Sequence, residues 1–289
     1  MLGNYREMKI PPSLRRILDF VPRVARRLDQ AHISLISAGV AFYAIFAIFP
    51  GITATIAIWS LVSDPNVIAS YLDVAQSFIP EDAYELLNAQ IGALLAGPRA
   101  TLGWATAVSV VLALFSARAG VSALVQGINV IHRAPTRQMI HGVLAGYAIT
   151  LALVAITLAA FAIIVIVPIG AAFLPLGILR GWLLTELPWA AMFALVLMGL
   201  GILYRFGPNR VESRARWISL GAIIAALGWA LGSLGFSYYL ANFGAYNRVY
   251  GSIGAVVALL MWLYISAYVI LVGAAINAER KHRPEPVDQ

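Results

Sequence analysis

Six stretches of mostly apolar residues, at 33–62, 103–131, 141–168, 186–204, 217–240 and 250–278, set the terms for everything else in this chain. Each is long enough for a helix rising about 1.5 Å per residue to cross a hydrocarbon core of roughly 30 Å. Only 11% of the 289 residues are charged, where soluble domains carry about 25%. The sequence therefore specifies an all-α, polytopic membrane protein with six transmembrane helices.

Basic residues orient the spans, because short cytoplasmic loops collect Lys and Arg. An even number of spans puts both termini on one side. That side holds sixteen of the 20 basic residues, from Arg6 to Arg27, Arg133 and Arg137, Arg205 to Arg216, and Arg280 to Arg283. The other holds Arg99, Arg180 and Arg248. Both termini are expected in the cytoplasm. The net charge of +7 then reflects topology and anionic inner-leaflet lipid, with no need of nucleic acid.

One basic residue escapes this partition. Arg118 lies inside the second apolar run, where an ionisable side chain costs at least a few kcal/mol by order of magnitude and faces a cavity or a partner. Ser122, Gln126, Asn129 and Arg133 follow it at helical spacing, so the five share one face. Arg118, Ser122, Gln126 and Asn129 are the leading candidates for a substrate path.

Residues 1–32 form a cytoplasmic amphipathic segment. Leu14, Ile17, Leu18, Val21, Ala25 and Leu28 keep helical spacing between arginines, which predicts an interfacial helix capped by Ser13 and bent at Pro22. Seven basic residues with no apolar stretch before Ile33 exclude a signal peptide. The long outer loop at 64–99 predicts two short amphipathic helices, opened by Asp64-Pro65 and Pro80-Glu81. Residues 33–279 are expected to form one six-helix bundle and 280–289 a cytoplasmic tail, so that 1–289 is a single domain.

Helix contacts are expected at small residues: Ser34, Ser37, Ala41, Ala44 and Ala47, the pair Gly142 and Gly146, and Gly221, Gly228, Gly232 and Gly235. Pro50-Gly51 predicts a kink or break in the first span, since proline removes a backbone hydrogen bond and crowds the preceding turn.

Several motifs together carry a family resemblance. Leu35-Ile-Ser-Ala-Gly-Val-Ala-Phe-Tyr43 through Phe49-Pro50, and Phe115-Ser-Ala-Arg118 through Asn129, resemble the first two span signatures of the YihY/BrkB membrane proteins. Tyr204-Arg-Phe-Gly-Pro208-Asn209-Arg210 continues the resemblance. Phe236-Ser-Tyr-Tyr, Asn242 to Asn247, Tyr250-Gly251-Ser252, and Leu263-Tyr264 to Glu279 complete it over about residues 35 to 280. The resemblance implies a six-helix bacterial inner-membrane protein. Family members also carry the name virulence factor BrkB, and an older label, ribonuclease BN, that is regarded as misapplied.

Nuclease chemistry finds no support in the residues. Metal-dependent phosphodiester cleavage needs clustered carboxylates or histidines, but His32, His132, His141 and His282 are scattered at helix ends. With no cysteine, thiol catalysis and disulfides are excluded. No cofactor, no metal and no catalytic residue is expected.

The chemistry that remains fits translocation of a lipid or other anionic amphiphile, with membrane lipid, anionic phospholipid above all, as partner. Tyr43, Tyr264, Tyr268, Asn277 and Glu279 join the path candidates. Asn242, Tyr246, Asn247, Arg248 and Tyr250 are candidates at the outer turn, where interfacial anchoring by aromatic residues is the competing explanation. A small-solute or ion transporter and a non-transporting scaffold are the alternatives, the latter using Arg118 to tie helices together, for instance through carbonyl oxygens or Glu279. Homo-oligomerisation stays open.

Overall fold

The computed structural model describes residues 12–62, 99–134, 139–173, 179–209, 216–242 and 252–281. Within them the chain forms seven helices: α1 (Pro12–Gln30), α2 (Ile33–Val62), α3 (Arg99–His132), α4 (Met139–Phe173), α5 (Leu179–Phe206), α6 (Leu220–Asn242) and α7 (Ser252–Lys281). All but α1 are long and apolar enough to cross a membrane. At 34 residues, α3 extends roughly 50 Å and exceeds the hydrocarbon thickness. The outer loop, together with Tyr246, Asn247, Arg248 and Tyr250, lies outside the described residues, as does the side chain of Asn242.

Of the kink or break expected at Pro50-Gly51, the break does not occur. Helix α2 continues without a break through Pro50-Gly51, and α1 likewise through Pro22. A proline removes one hydrogen bond from a helix of many, in α2 the one to the Phe46 carbonyl, and the rest of the helix holds. Thr53 Oγ1 donates to the Phe49 carbonyl at 3.1 Å, a side-chain bond to the residue one turn back. The start of α1 also shifts: Pro12 occupies its first position, where proline's missing N–H costs nothing, and Ser13 is inside the helix instead of capping it.

The chain divides into two compact units, Met1–Ala41 with Val121–Gln289, and Phe42–Gly120. In the first, α6 packs against α7, α4 against α5, α5 against α6, and α1 against α7. Its core is made largely of alanine and branched aliphatic residues, among them Ile128, Ile131, Ala222, Ala226, Leu271 and Ala275. The apolar face of α1 is shared out. Val24 is buried with Phe20 and Leu28 beside it, while Val21 and Ala25, both on the face expected on lipid, remain exposed.

Glycine decides the tightest crossing. A Cβ on Gly273 would sit 2.5 Å from the Gly221 carbonyl oxygen, so α6 and α7 touch there by backbone. Gly228 and Gly232, the more obvious pair in the sequence, instead receive the branched side chains of Val269 and Ile265. Gly235 has open space around it. Further along the same seam Trp229 Nε1 donates to Ser266 Oγ at 3.1 Å and Trp262 Nε1 to Ser233 Oγ at 3.2 Å. Each indole thereby satisfies its one donor in apolar surroundings.

In the second unit, Phe42 lies edge-on to Tyr43 at 5.6 Å and close to Phe46 at 4.7 Å. Ala54 and Thr106 are buried there, and Arg118 is half-buried.

Candidate functional site at the helix ends

The polar residues of the first unit gather where α1 meets the ends of the other helices. Glu279, on the last turn of α7, is buried to 8% side-chain exposure and takes two arginines from α1. Arg23 Nε approaches its Oε1 at 2.8 Å and Arg27 Nη2 its Oε2 at 3.1 Å. Arg27 also donates through Nη1 to the Ile131 carbonyl at 2.8 Å. That oxygen belongs to the last turn of α3, where the helix dipole favours a cation. One guanidinium thus joins α1, α3 and α7. Arg23 and Arg27 are one turn apart on α1, which is why both reach the same carboxylate.

A second joint lies beside the first. Ser219 caps α6, accepting the Ala222 N–H at 3.1 Å. Asn277 completes the cap from α7: its Oδ1 accepts the Gly221 N–H at 2.9 Å and its Nδ2 donates to Ser219 Oγ at 2.8 Å. The helix start is therefore satisfied by a residue 56 positions away.

The third joint closes α3. The Ala134 N–H bonds the Asn129 carbonyl at 2.9 Å and the Arg133 N–H the Val130 carbonyl at 3.0 Å, a Schellman ending with Arg133 left-handed at φ 50°. The side-chain oxygen of Asn129 accepts the Asn209 N–H at 2.9 Å. Asn209 follows the buried Gly207-Pro208 turn after α5. Tyr204, one helical turn before that, donates its hydroxyl to the Ile270 carbonyl at 2.6 Å. Arg205 stacks over Trp217 at 5.0 Å. The Tyr204 to Asn209 motif is thus spent on joining α5 to α3 and α7.

Of the path candidates, Asn129, Asn277 and Glu279 take part in these joints. Ser122 is half-buried and accepts from Gln126 Nε2 at 3.3 Å, and Gln126 itself is exposed. Arg118 belongs to the other unit, as does Tyr43, which is 39% exposed. Tyr264 and Tyr268 lie 6.1 Å apart on α7, and Tyr268 lines a cleft beside the α1–α2 turn. The pairing of Arg23 and Arg27 with Glu279 had a sequence signature, two arginines at i and i+4 and a lone carboxylate ending the last span. Nothing in the sequence indicated that they meet. Among the described residues no three His, Asp or Glu side chains gather as metal ligands would.

Six helices long and apolar enough to cross a membrane, four of them joined at their ends by buried polar contacts, define a multi-pass membrane protein. The model of the virulence factor BrkB family matches residues 24–289, and the chain belongs to that family. A "putative ribonuclease-like protein YfkH" of Bacillus subtilis (strain 168) is 28% identical over 86% of this chain and 91% of its own. A "UPF0761 membrane protein" of Tolumonas auensis is 40% identical over 35% of this chain and 32% of its own. Another from Xanthomonas axonopodis pv. citri (strain 306) is 33% identical over 37% of this chain and 26% of its own. No solved structure matches the chain.

Proposed function

We propose that this protein lies in the bacterial inner membrane with both termini in the cytoplasm, and translocates or transports a lipid or other anionic amphiphile in envelope maintenance. The observation that carries this reading is the hydrogen-bonded pair of Ser122 and exposed Gln126 on α3. An exposed carboxamide on a membrane-crossing helix offers polar material a place to pass. Arg118, on the same helix, supplies the cation that an anionic headgroup needs. The sixteen-to-three division of basic residues supports the orientation. On this reading the protein is a carrier and not an enzyme; among the described residues no three His, Asp or Glu side chains gather for the metal-dependent cleavage that the ribonuclease-like name of the Bacillus relative suggests.

The test is movement of fluorescently labelled phosphatidylglycerol between leaflets of proteoliposomes. Wild type should accelerate it, Arg118→Lys should retain part of the activity and Arg118→Ala little, all three being monodisperse in detergent. Wild-type rates in Arg118→Ala would remove the residue from the path. A second reading, a non-transporting scaffold, is favoured by one observation: Asn129, Asn277 and Glu279 are all engaged in bonds between helices. It predicts no lipid movement by the wild type and loss of folding in the variants.

A further inference from the structure

A cleft of about 360 Å³ opens where the α1–α2 turn faces α7. Its wall includes Leu28 and Asp29 from the end of α1, His32 from the turn, Ser34 and Leu35 from the start of α2, and Tyr268 from α7. Asp29 brings a carboxylate. No Lys or Arg is among the residues that line it. A carboxylate beside a phenol and a hydroxyl suits an ammonium group, through charge-assisted hydrogen bonds and the ring face, and repels a bare anion. The volume falls within the range of small-ligand clefts, roughly 300–1,000 Å³.

Position selects the kind of amine. The membrane-crossing part of α2 begins at Ile33, so the cleft lies where a span starts. Leu35, in its wall, is 76% exposed and continues the polar cleft into apolar surface. A ligand that fills both has an ammonium at one end and hydrocarbon at the other. We propose that the cleft binds the headgroup of phosphatidylethanolamine, its ammonium on Asp29 and Tyr268 and its acyl chains along the Leu35 side of α2. The site is independent of the transport reading, which concerns an anionic ligand on α3.

Native mass spectrometry of the full-length protein in detergent tests this, with phosphatidylethanolamine, phosphatidylglycerol of the same acyl chains, and soluble glycerophosphoethanolamine as probes. Wild type should hold phosphatidylethanolamine in preference to both others. Asp29→Asn should weaken that binding by roughly tenfold or more and leave phosphatidylglycerol unchanged. Arg26→Gln, an exposed change on the same helix, should alter neither. Arg118→Ala should also keep the ethanolamine lipid, which separates failure of the transport reading from failure of this one. Equal affinity of wild type and Asp29→Asn, no preference over phosphatidylglycerol, or equally tight binding of the soluble probe would each overturn the proposal. If Asp29→Asn does not fold, Ser34→Trp decides: it fills the cleft from an exposed position, and unchanged lipid binding would exclude the site.

Discussion

Arg27 and Glu279, separated by 252 positions in the chain, share two contacts, Nε and Nη2 on Oε2 at 3.2 and 3.1 Å. Both side chains are withdrawn from solvent, at 13% and 8% exposure, so each removes the cost of burying the other. Arg23, at 42% exposure, completes the carboxylate from a wetter position.

Unequal exposure predicts unequal effects. Glu279→Ala strands Arg27 in a buried site and should cost roughly 2–4 kcal/mol. Arg23→Gln removes a solvent-screened contact and should cost about 1 kcal/mol or less. Chemical or thermal unfolding in detergent, with a double-mutant cycle on Arg27 and Glu279, measures both; equal losses for Arg23 and Arg27 would show that burial does not set the strength of this joint.

The α6–α7 crossing predicts opposite signs for the same substitution. Gly273→Ala drives a methyl into the Gly221 carbonyl and the Ala225 side chain, and should destabilise by about 1–3 kcal/mol or more. Gly235→Ala meets open space in a helix interior and should stabilise by roughly 0.5–1 kcal/mol. Unfolding midpoints that move the same way in both variants would contradict the close backbone approach.

Arg133 holds φ 50° at the end of α3, a conformation that costs an L-residue roughly 1–2 kcal/mol. Arg133→Gly should therefore raise stability by about 1 kcal/mol, the Schellman bonds being kept. A fall in unfolding temperature would mean that the exposed Arg133 side chain contributes more than the strain removes.

Asn129 and Gln126 share a helix face yet differ in partners, and their alanine variants should separate. Asn129→Ala leaves the Asn209 N–H without its acceptor and should cost about 1–3 kcal/mol. Gln126→Ala should leave stability within about 0.5 kcal/mol and reduce lipid movement. Cysteines at 122 and 126 should react with charged reagents from the cytoplasmic side, slowed by anionic phospholipid; silence from both sides would favour the scaffold.

The number and length of the spans were legible in the sequence because crossing a hydrocarbon layer is a local requirement, met by each helix with its own backbone bonds. Runs such as 33–62 and 103–131 reappear as α2 and α3 for that reason. Helical spacing likewise placed Ser122 next to Gln126. What pairs with what was not legible. Arg27 on Glu279, Asn277 on the cap of α6, and Gly221 against Gly273 all join positions far apart in sequence, and similar arginines, asparagines and glycines elsewhere in the chain offered the same local chemistry. Only the packing of helices against one another decided among them, because a buried charge or an open helix end takes whichever partner the tertiary structure brings within bonding distance.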